Sequence, residues 1–367
     1  MSLSFHVIPD WFELVSLACC IGVLVCSPWV VGSARGDAIS AQEDLLAGMR
    51  HVLRISAAAL FVSCILGLLV RSAEMSGYPI TGVLPALPTV LLRTHYGHAW
   101  LLRMAAIVAL SATIAAARAP HPSGLSRWFM LGCAVVVSAM DSASGHASDA
   151  GDFSAAEILD WLHLIAALVW GGGLLVLSTV ILPRFMKQGD RAAWSMAGIA
   201  TRFSGIAGVG VGLVALTASY QWWAYGGSVD DLVRSPFGRT IIVKIVLFSV
   251  LLVLGAFNRY ISVPRLQEWA GSAPTRLRTL GRLVAPVLLP LGRDARGTQA
   301  AARFTRTVQL EAFLMVAVLL CAALLRREAP PRHATHVQHH ALAPSSIVER
   351  ASHQVCHGPK EPSSCQP

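Results

Sequence analysis

Long apolar runs separated by short polar segments dominate this chain. A run of about 20 apolar residues is long enough to cross a bilayer core of about 30 Å as a helix. The fold class is therefore predicted to be an all-α integral membrane protein. Eight membrane-spanning helices are predicted, at 11–31, 50–71, 97–118, 127–143, 156–183, 203–225, 238–262 and 307–325.

The distribution of basic residues predicts how these helices are oriented. Segments 184–202 and 263–306 are rich in Arg and Lys, whereas 142–155 contains neither residue type. Basic loops are retained in the cytoplasm. With eight spans, both termini are therefore expected on the periplasmic side.

Short motifs recur in the same order in the two halves of the chain. Their offsets of 150, 148 and 141 residues predict two parallel four-helix repeats. We place the first half at 1–143, the second half at 144–328 and a disordered, His-rich periplasmic tail at 329–367. The matching motifs are Asp10-Trp11 with Asp160-Trp161, Arg54-Ile55-Ser56 with Arg202-Phe203-Ser204, and Arg93 to Arg103 with Arg234 to Lys244.

The amino-acid composition limits the classes of protein to which this chain can belong. The mean hydropathy is +0.59 and only 13% of residues are charged, which excludes an ordinary soluble domain. The net charge of +9 reflects cytoplasmic arginines and does not indicate nucleic acid binding. The sequence has no nucleotide-binding loop, so we do not predict an ATP-driven pump. We also predict no enzymatic activity.

Two ionisable residues lie within the first two turns of the fifth predicted helix. Asp160 and His163 are one turn apart and share a face that must avoid lipid. Asp160 is expected either to orient the His163 ring by a hydrogen bond or to form an ion pair with Lys244. By the repeat, Arg103 is expected to pair with Asp10 or Glu13.

The second half also resembles a known family. It carries Gly145-His146, Asp160-Trp161-x-His163 leading into Trp170-Gly171-Gly172, and Asn258-Arg259. This pattern is similar to that of CopD-type copper-resistance membrane proteins, most strongly over about 140–265. The resemblance implies an eight-helix bacterial inner-membrane (plasma-membrane) protein that takes up or transfers copper. It also implies a separate periplasmic CopC-type copper-binding partner.

The outer histidines supply candidate ligands for such a copper ion. Imidazole binds copper in either oxidation state, and thioether sulfur suits Cu(I). We predict a copper site, for Cu(I) or Cu(II), built from His163, His146 and one or both of His95 and His98, with Asp160 supporting the ring. Met140 and His6 are further candidate ligands. The alternative is that the loop histidines are exposed to solvent and bind no metal.

Two other functions remain open at this point. A membrane cytochrome would need paired histidines within the bilayer, and only His163 is clearly inside a span. A scaffold that only docks a periplasmic copper chaperone would lack transport. The His-rich tail is interpreted either as a scavenger of Cu or Zn or as a solvated segment without function.

Overall fold

The computed structural model describes residues 4–31, 39–117, 124–145, 151, 153–225, 229–272 and 297–328, and these are overwhelmingly helical. No strand occurs in these ranges, so the described fold is all-α. The α-helices are α1 (Ser4–Val31), α2 (Ile39–Ser76), α3 (Leu87–Arg93), α4 (His95–Ala116), α5 (Gly124–Ser142), α6 (Ala155–Val176), α7 (Leu182–Gln188), α8 (Ala193–Tyr225), α9 (Val229–Arg234), α10 (Pro236–Phe257), α11 (Val263–Trp269) and α12 (Thr298–Leu325).

Seven helical stretches in the described part are long and apolar enough to cross a membrane. One of them, Ala155–Trp223, has 69 residues and would reach about 100 Å if it were straight. It contains the short 3₁₀ turn Gly189–Ala192, and α6 packs along α8, so the chain reverses between these two helices. The protein is therefore a multi-pass membrane protein.

Several helices extend beyond the predicted apolar runs. The second helix was predicted from residue 50 and begins at Ile39, and the sixth was predicted from 203 and begins at Ala193. Hydropathy marks only the part of a helix that faces lipid. The extension of α2 is held by packing, because Leu45, Leu46 and Met49 are buried although Glu43 and Asp44 just before them are exposed.

Two spans contain a π-helical turn shortly before a proline. Leu177–Ile181 precedes Pro183, and Asn258–Ser262 precedes Pro264. A proline inside a helix lacks an N–H group and clashes with the carbonyl four residues earlier. A π turn relieves this conflict without ending the helix. As a result α6 continues into α7, and α10 continues into α11.

Helices α1 and α6 cross closely at the centre of the bundle. A Cβ atom on Gly22 would overlap the backbone of Gly172, and one on Gly172 would overlap the backbone at Ala18. Glycine lets two helix backbones approach this closely. Gly22 and Gly172 are 150 residues apart, which is the offset of the first repeated motif. Around this crossing, α1 also contacts α2, α5 and α12, and α6 also contacts α8, α5 and α12.

A second local geometry recurs 141 residues apart. The Thr94 hydroxyl accepts a hydrogen bond from the Gly97 amide at 2.9 Å and caps the start of α4. The Ser235 hydroxyl accepts one from the Gly238 amide at 2.9 Å and caps α10 in the same way. Each long helix follows a short one, α3 or α9, across this cap.

Three sequence predictions fall outside the described residues. These are the placement of His146, of most of the segment 263–306, and of the tail 329–367.

Candidate functional site

Charged and amide side chains gather where eight helix ends meet. They come from the starts of α1, α4 and α6 and from the ends of α2, α5, α8 and α12, and Thr240 at the start of α10 contacts Glu328 beside them. We call this group the polar cluster. The contacts described below join its members in three groups: Glu13, Arg103, Asp141 and Arg326; Asp10, Glu74 and Arg327; and Asp160 with Gln221.

The deepest part of the polar cluster alternates anions and cations. Arg103 Nη1 lies 3.0 Å from Glu13 Oε1, without hydrogen-bond alignment, and donates to Asp141 Oδ1 at 3.3 Å. Arg326 binds the same carboxylate in a bidentate manner at 2.9 and 2.6 Å. Glu13 and Arg103 are only 3% and 4% exposed. Two positive and two negative groups compensate each other at a depth where an unpaired charge would be costly.

Arg326 lies just beyond the end of α12, and its titration follows from its neighbours. Burial acts to lower the pKa of its guanidinium, but the Asp141 and Asp10 carboxylates outweigh burial and raise that pKa. Arg326 therefore remains a cation, and the end of α12 is fixed electrostatically to the end of α5.

Arg327 closes the other side of the polar cluster. Its guanidinium binds Asp10 at 2.7 and 3.0 Å and Glu74 at 2.9 and 3.0 Å. Asp10 belongs to α1 and Glu74 to α2, so one arginine connects three helix ends. Of the two partners predicted for Arg103, Glu13 contacts it and Asp10 is bound by Arg327 instead.

Asp160 is held by neutral donors. Ser142 Oγ donates to its Oδ2 at 2.6 Å, and Gln221 Nε2 donates to its Oδ1 at 2.9 Å. These bonds link the start of α6 to the ends of α5 and α8. The alternatives predicted for Asp160 were the His163 ring and Lys244. In the described residues neither is a hydrogen-bond partner of Asp160, and Lys244 acts on it only as a nearby charge.

His163 is oriented by a hydroxyl group. Its Nδ1 lies 2.9 Å from Thr217 Oγ1, on α8. Thr217 uses its single proton toward the Leu213 carbonyl at 2.6 Å, so Oγ1 accepts from the ring, and we assign the proton to Nδ1. Nε2 then carries a lone pair, and this is the form of imidazole that binds a metal ion. Lys244 lies in electrostatic range of this ring.

The remaining candidate ligands lie on other elements than α6. His95 and His98 are exposed at the start of α4, and His98 Nε2 lies 3.2 Å from the Leu92 carbonyl. Arg239, 141 residues after His98, donates to the equivalent Val233 carbonyl at 3.1 Å. Through this contact His98 also holds α3 against α4.

Met140 is half-buried near the end of α5. His146 lies outside the described residues, as does the side chain of His6. Within the described ranges, no three His, Cys, Asp or Glu side chains form a group that could hold a metal ion.

Sequence reasoning missed several members of the polar cluster. The sequence assigned no role to Asp141, yet it is 8% exposed between two arginines. Arg326 and Arg327 follow directly after the last apolar run, where arginines usually mark an interface. Thr217 and Gln221 gave no signal, because a Thr or Gln in a helix becomes informative only when its neighbour is known.

Comparison with known proteins identifies the family of this chain. The model for the N-terminal domain of copper resistance protein D-like proteins matches residues 1–155, and the model for copper resistance protein D matches residues 197–325. The chain belongs to the copper resistance protein D family. A family model therefore matches the first half of the chain directly. The sequence motifs alone extended the resemblance to that half mainly because the two halves repeat. Residues 156–196, which include Asp160 and His163, lie between the two matched ranges.

Two curated relatives carry names concerned with copper. Copper transport protein CutJ of Bacillus subtilis (strain 168) is 28% identical over 225 residues, which are 59% of this chain and 40% of that protein. Copper resistance protein D of Pseudomonas syringae pv. tomato is 28% identical over 192 residues, 50% of this chain and 59% of that protein. The matches thus span less than two thirds of either relative. No solved structure matches the chain.

Proposed function

We propose that this protein takes up or transfers copper across the bacterial plasma membrane from an outward-facing site at His163. The observation that carries the proposal is an imidazole within an apolar helix, held at Nδ1 by Thr217, in a chain of the copper resistance protein D family. The names of the two relatives, copper transport protein and copper resistance protein D, support copper as the substrate.

The proposed architecture has eight spans in two parallel four-helix repeats. Counting α6 and α8 separately turns seven apolar stretches into eight crossings. An even number of crossings is consistent with the meeting of eight helix ends in one polar cluster. The paired glycines Gly22 and Gly172 and the paired caps at Thr94 and Ser235 support the repeat. The basic segments 184–202 and 263–306 favour a cytoplasmic placement of the opposite face, with both termini periplasmic.

Additional ligands are needed beside His163. His146 is the preferred second ligand, because it lies in the segment between α5 and α6. His95 or His98 is the preferred third, with Met140 and His6 as further donors suited to Cu(I) or Cu(II). Asp160, bound to Ser142 and Gln221, fixes the first turns of α6 and so the position of His163. A CopC-type periplasmic protein is the partner that would deliver copper to this face.

Copper content tests the proposal. Cells that express the protein should accumulate more copper than cells that lack it, and copper-loaded inside-out vesicles should release copper faster when they contain it. Equal copper in both kinds of cells together with equal release would contradict copper transfer. Lower copper in the expressing cells would contradict the inward direction.

A further inference from the structure

A buried carboxylic acid lies far from the polar cluster, in the last helix. Glu311 is the only acidic residue of α12, near the middle of this 28-residue helix, and it is 5% exposed. The contact between Thr240 and Glu328 marks the end of α12 at the polar cluster. Glu311 is 17 residues, about 26 Å along a helix, from that contact. It therefore belongs to the other half of the bundle and to no part of the His163 site.

Glu311 has one polar partner in the described residues, and that partner is neutral. Asn258 Nδ2 donates to Glu311 Oε1 at 2.9 Å. Asn258 is 6% exposed and is the first residue of the π turn that joins α10 to α11. Its other side-chain atom, Oδ1, is buried without any hydrogen-bond donor. A buried acceptor of this kind costs about 1–3 kcal/mol if it stays unsatisfied.

Among the described residues, no cation compensates Glu311. The guanidinium of Arg259, the next residue after Asn258, donates to the Ser204 carbonyl and hydroxyl on α8. Within the described ranges, no charged group interacts with Glu311. The described charged and titratable side chains on α12 and on the elements packed against it are Arg303, Arg306 and Cys321 of α12, Asp10, Glu13, Cys19, Cys20 and Cys26 of α1, Glu157, Asp160 and His163 of α6, Arg184 and Lys187 of α7, Arg239 and Lys244 of α10, Arg259 and Tyr260 of the π turn, and Arg265 and Glu268 of α11.

A proton on Glu311 accounts for both the carboxyl group without a counter-ion and the Asn258 Oδ1 atom without a donor. An ionised Glu311 would be a buried charge with no counter-ion in the part of the chain that the structure describes, and such a charge is strongly disfavoured inside a membrane protein. A protonated Glu311 is neutral, and its O–H can donate to the orphaned Asn258 Oδ1 while Oε1 accepts from Nδ2. We propose that Glu311 and Asn258 form a proton-binding site, in which Glu311 takes up and releases a proton beside the π turn.

The proposed proton site is independent of the proposed copper function, so a test can refute either proposal without refuting the other. We assign a proton as the ligand of this site because the neighbouring groups are amide and carboxyl oxygens. Such oxygens do not select soft metal ions such as Cu(I). A π turn suits such a site, since it frees local backbone geometry and is frequent at functional positions in helices.

Reaction with dicyclohexylcarbodiimide tests the proposal on the full-length protein in liposomes. This apolar reagent adds to protonated carboxyl groups within membranes, and the adduct can be mapped by mass spectrometry. We expect modification of Glu311 at neutral pH and its loss as the pH rises, because deprotonation removes the reactive form. Glu13 is the matched control: it is equally buried in an apolar helix but faces Arg103, so it should remain unmodified.

Infrared spectroscopy covers the case in which the reagent cannot reach the site. The parent protein should show a carboxylic-acid C=O band that shifts in D₂O and is lost in Glu311→Gln. This variant has the shape of the neutral acid, and its amide can donate to Asn258, so it should fold like the parent. Absence of both the adduct at Glu311 and a band assignable to it would overturn the proposal, as would modification that does not change with pH.

Discussion

Burial decides what an ion pair contributes at the scale of single residues. Arg103 and Glu13 are almost fully buried, whereas the side chains of Arg234 and Asp230 are 80% and 71% exposed. Removing one partner of a buried pair leaves a charge without compensation and typically costs about 3–5 kcal/mol. An exposed pair contributes about 0–1 kcal/mol.

Glu13→Ala should therefore destabilise the protein far more than Arg234→Ala. In detergent, we expect Glu13→Ala to lower the melting temperature strongly or to prevent accumulation in the membrane, because Arg103 would keep only Asp141, which it shares with Arg326. Arg234→Ala should melt like the parent. Similar melting temperatures for the parent and both variants would show that the buried network contributes no stability.

Thr217 offers a separate test of the His163 orientation. Thr217→Val keeps the side-chain shape but removes the oxygen that accepts from Nδ1, so the ring loses its fixed tautomer. Losing such a supporting partner typically weakens metal affinity by about 10–100-fold. Thr113→Val is the matched control, since the Thr113 hydroxyl bonds only within its own helix. Copper titration of the two purified variants should separate them, and equal affinities would mean that Thr217 does not orient a ligand.

At the scale of the helices, the crossing of α1 and α6 leaves no room for added side-chain atoms. Gly172→Ala places a methyl group against the α1 backbone, which cannot move aside as a flexible side chain can. We expect a large loss of folded protein in the membrane. At Gly212, on α8, a Cβ meets open space, so Gly212→Ala should accumulate like the parent. Fluorescence size-exclusion profiles of both variants would reveal the difference, and identical profiles would contradict the close crossing.

The elements also divide into those that sequence could and could not predict. The apolar runs predicted where the spans lie because hydrophobicity is local. The extension of α2 through Leu45 and Met49 was missed, since it depends on packing against other helices. Pro183 and Pro264 could have signalled the π turns. The pairing of Asp141 with Arg326 could not be predicted, because it joins residues 185 apart along the chain.

For the whole molecule, the placement of the polar cluster on the outer face rests on the orientation of the bundle. Cys356 and Cys365 provide native probes in the tail, and the six described cysteines are buried or half-buried in helices. A membrane-impermeant maleimide should label the parent protein in intact spheroplasts. Arg191→Cys, exposed between α7 and α8, should be protected in a Cys356→Ser, Cys365→Ser background until the membrane is opened. Labelling of Arg191→Cys in intact spheroplasts would reverse the proposed orientation.

Copper accumulation by His163→Ala cells tests the central claim most directly. The variant removes the imidazole that Thr217 orients, while His51→Ala removes an exposed histidine of α2 and serves as the control. With both proteins present in the membrane at parental levels, His163→Ala cells should contain no more copper than cells without the protein, and His51→Ala cells should match the parent. Parental copper accumulation by His163→Ala cells would contradict the account.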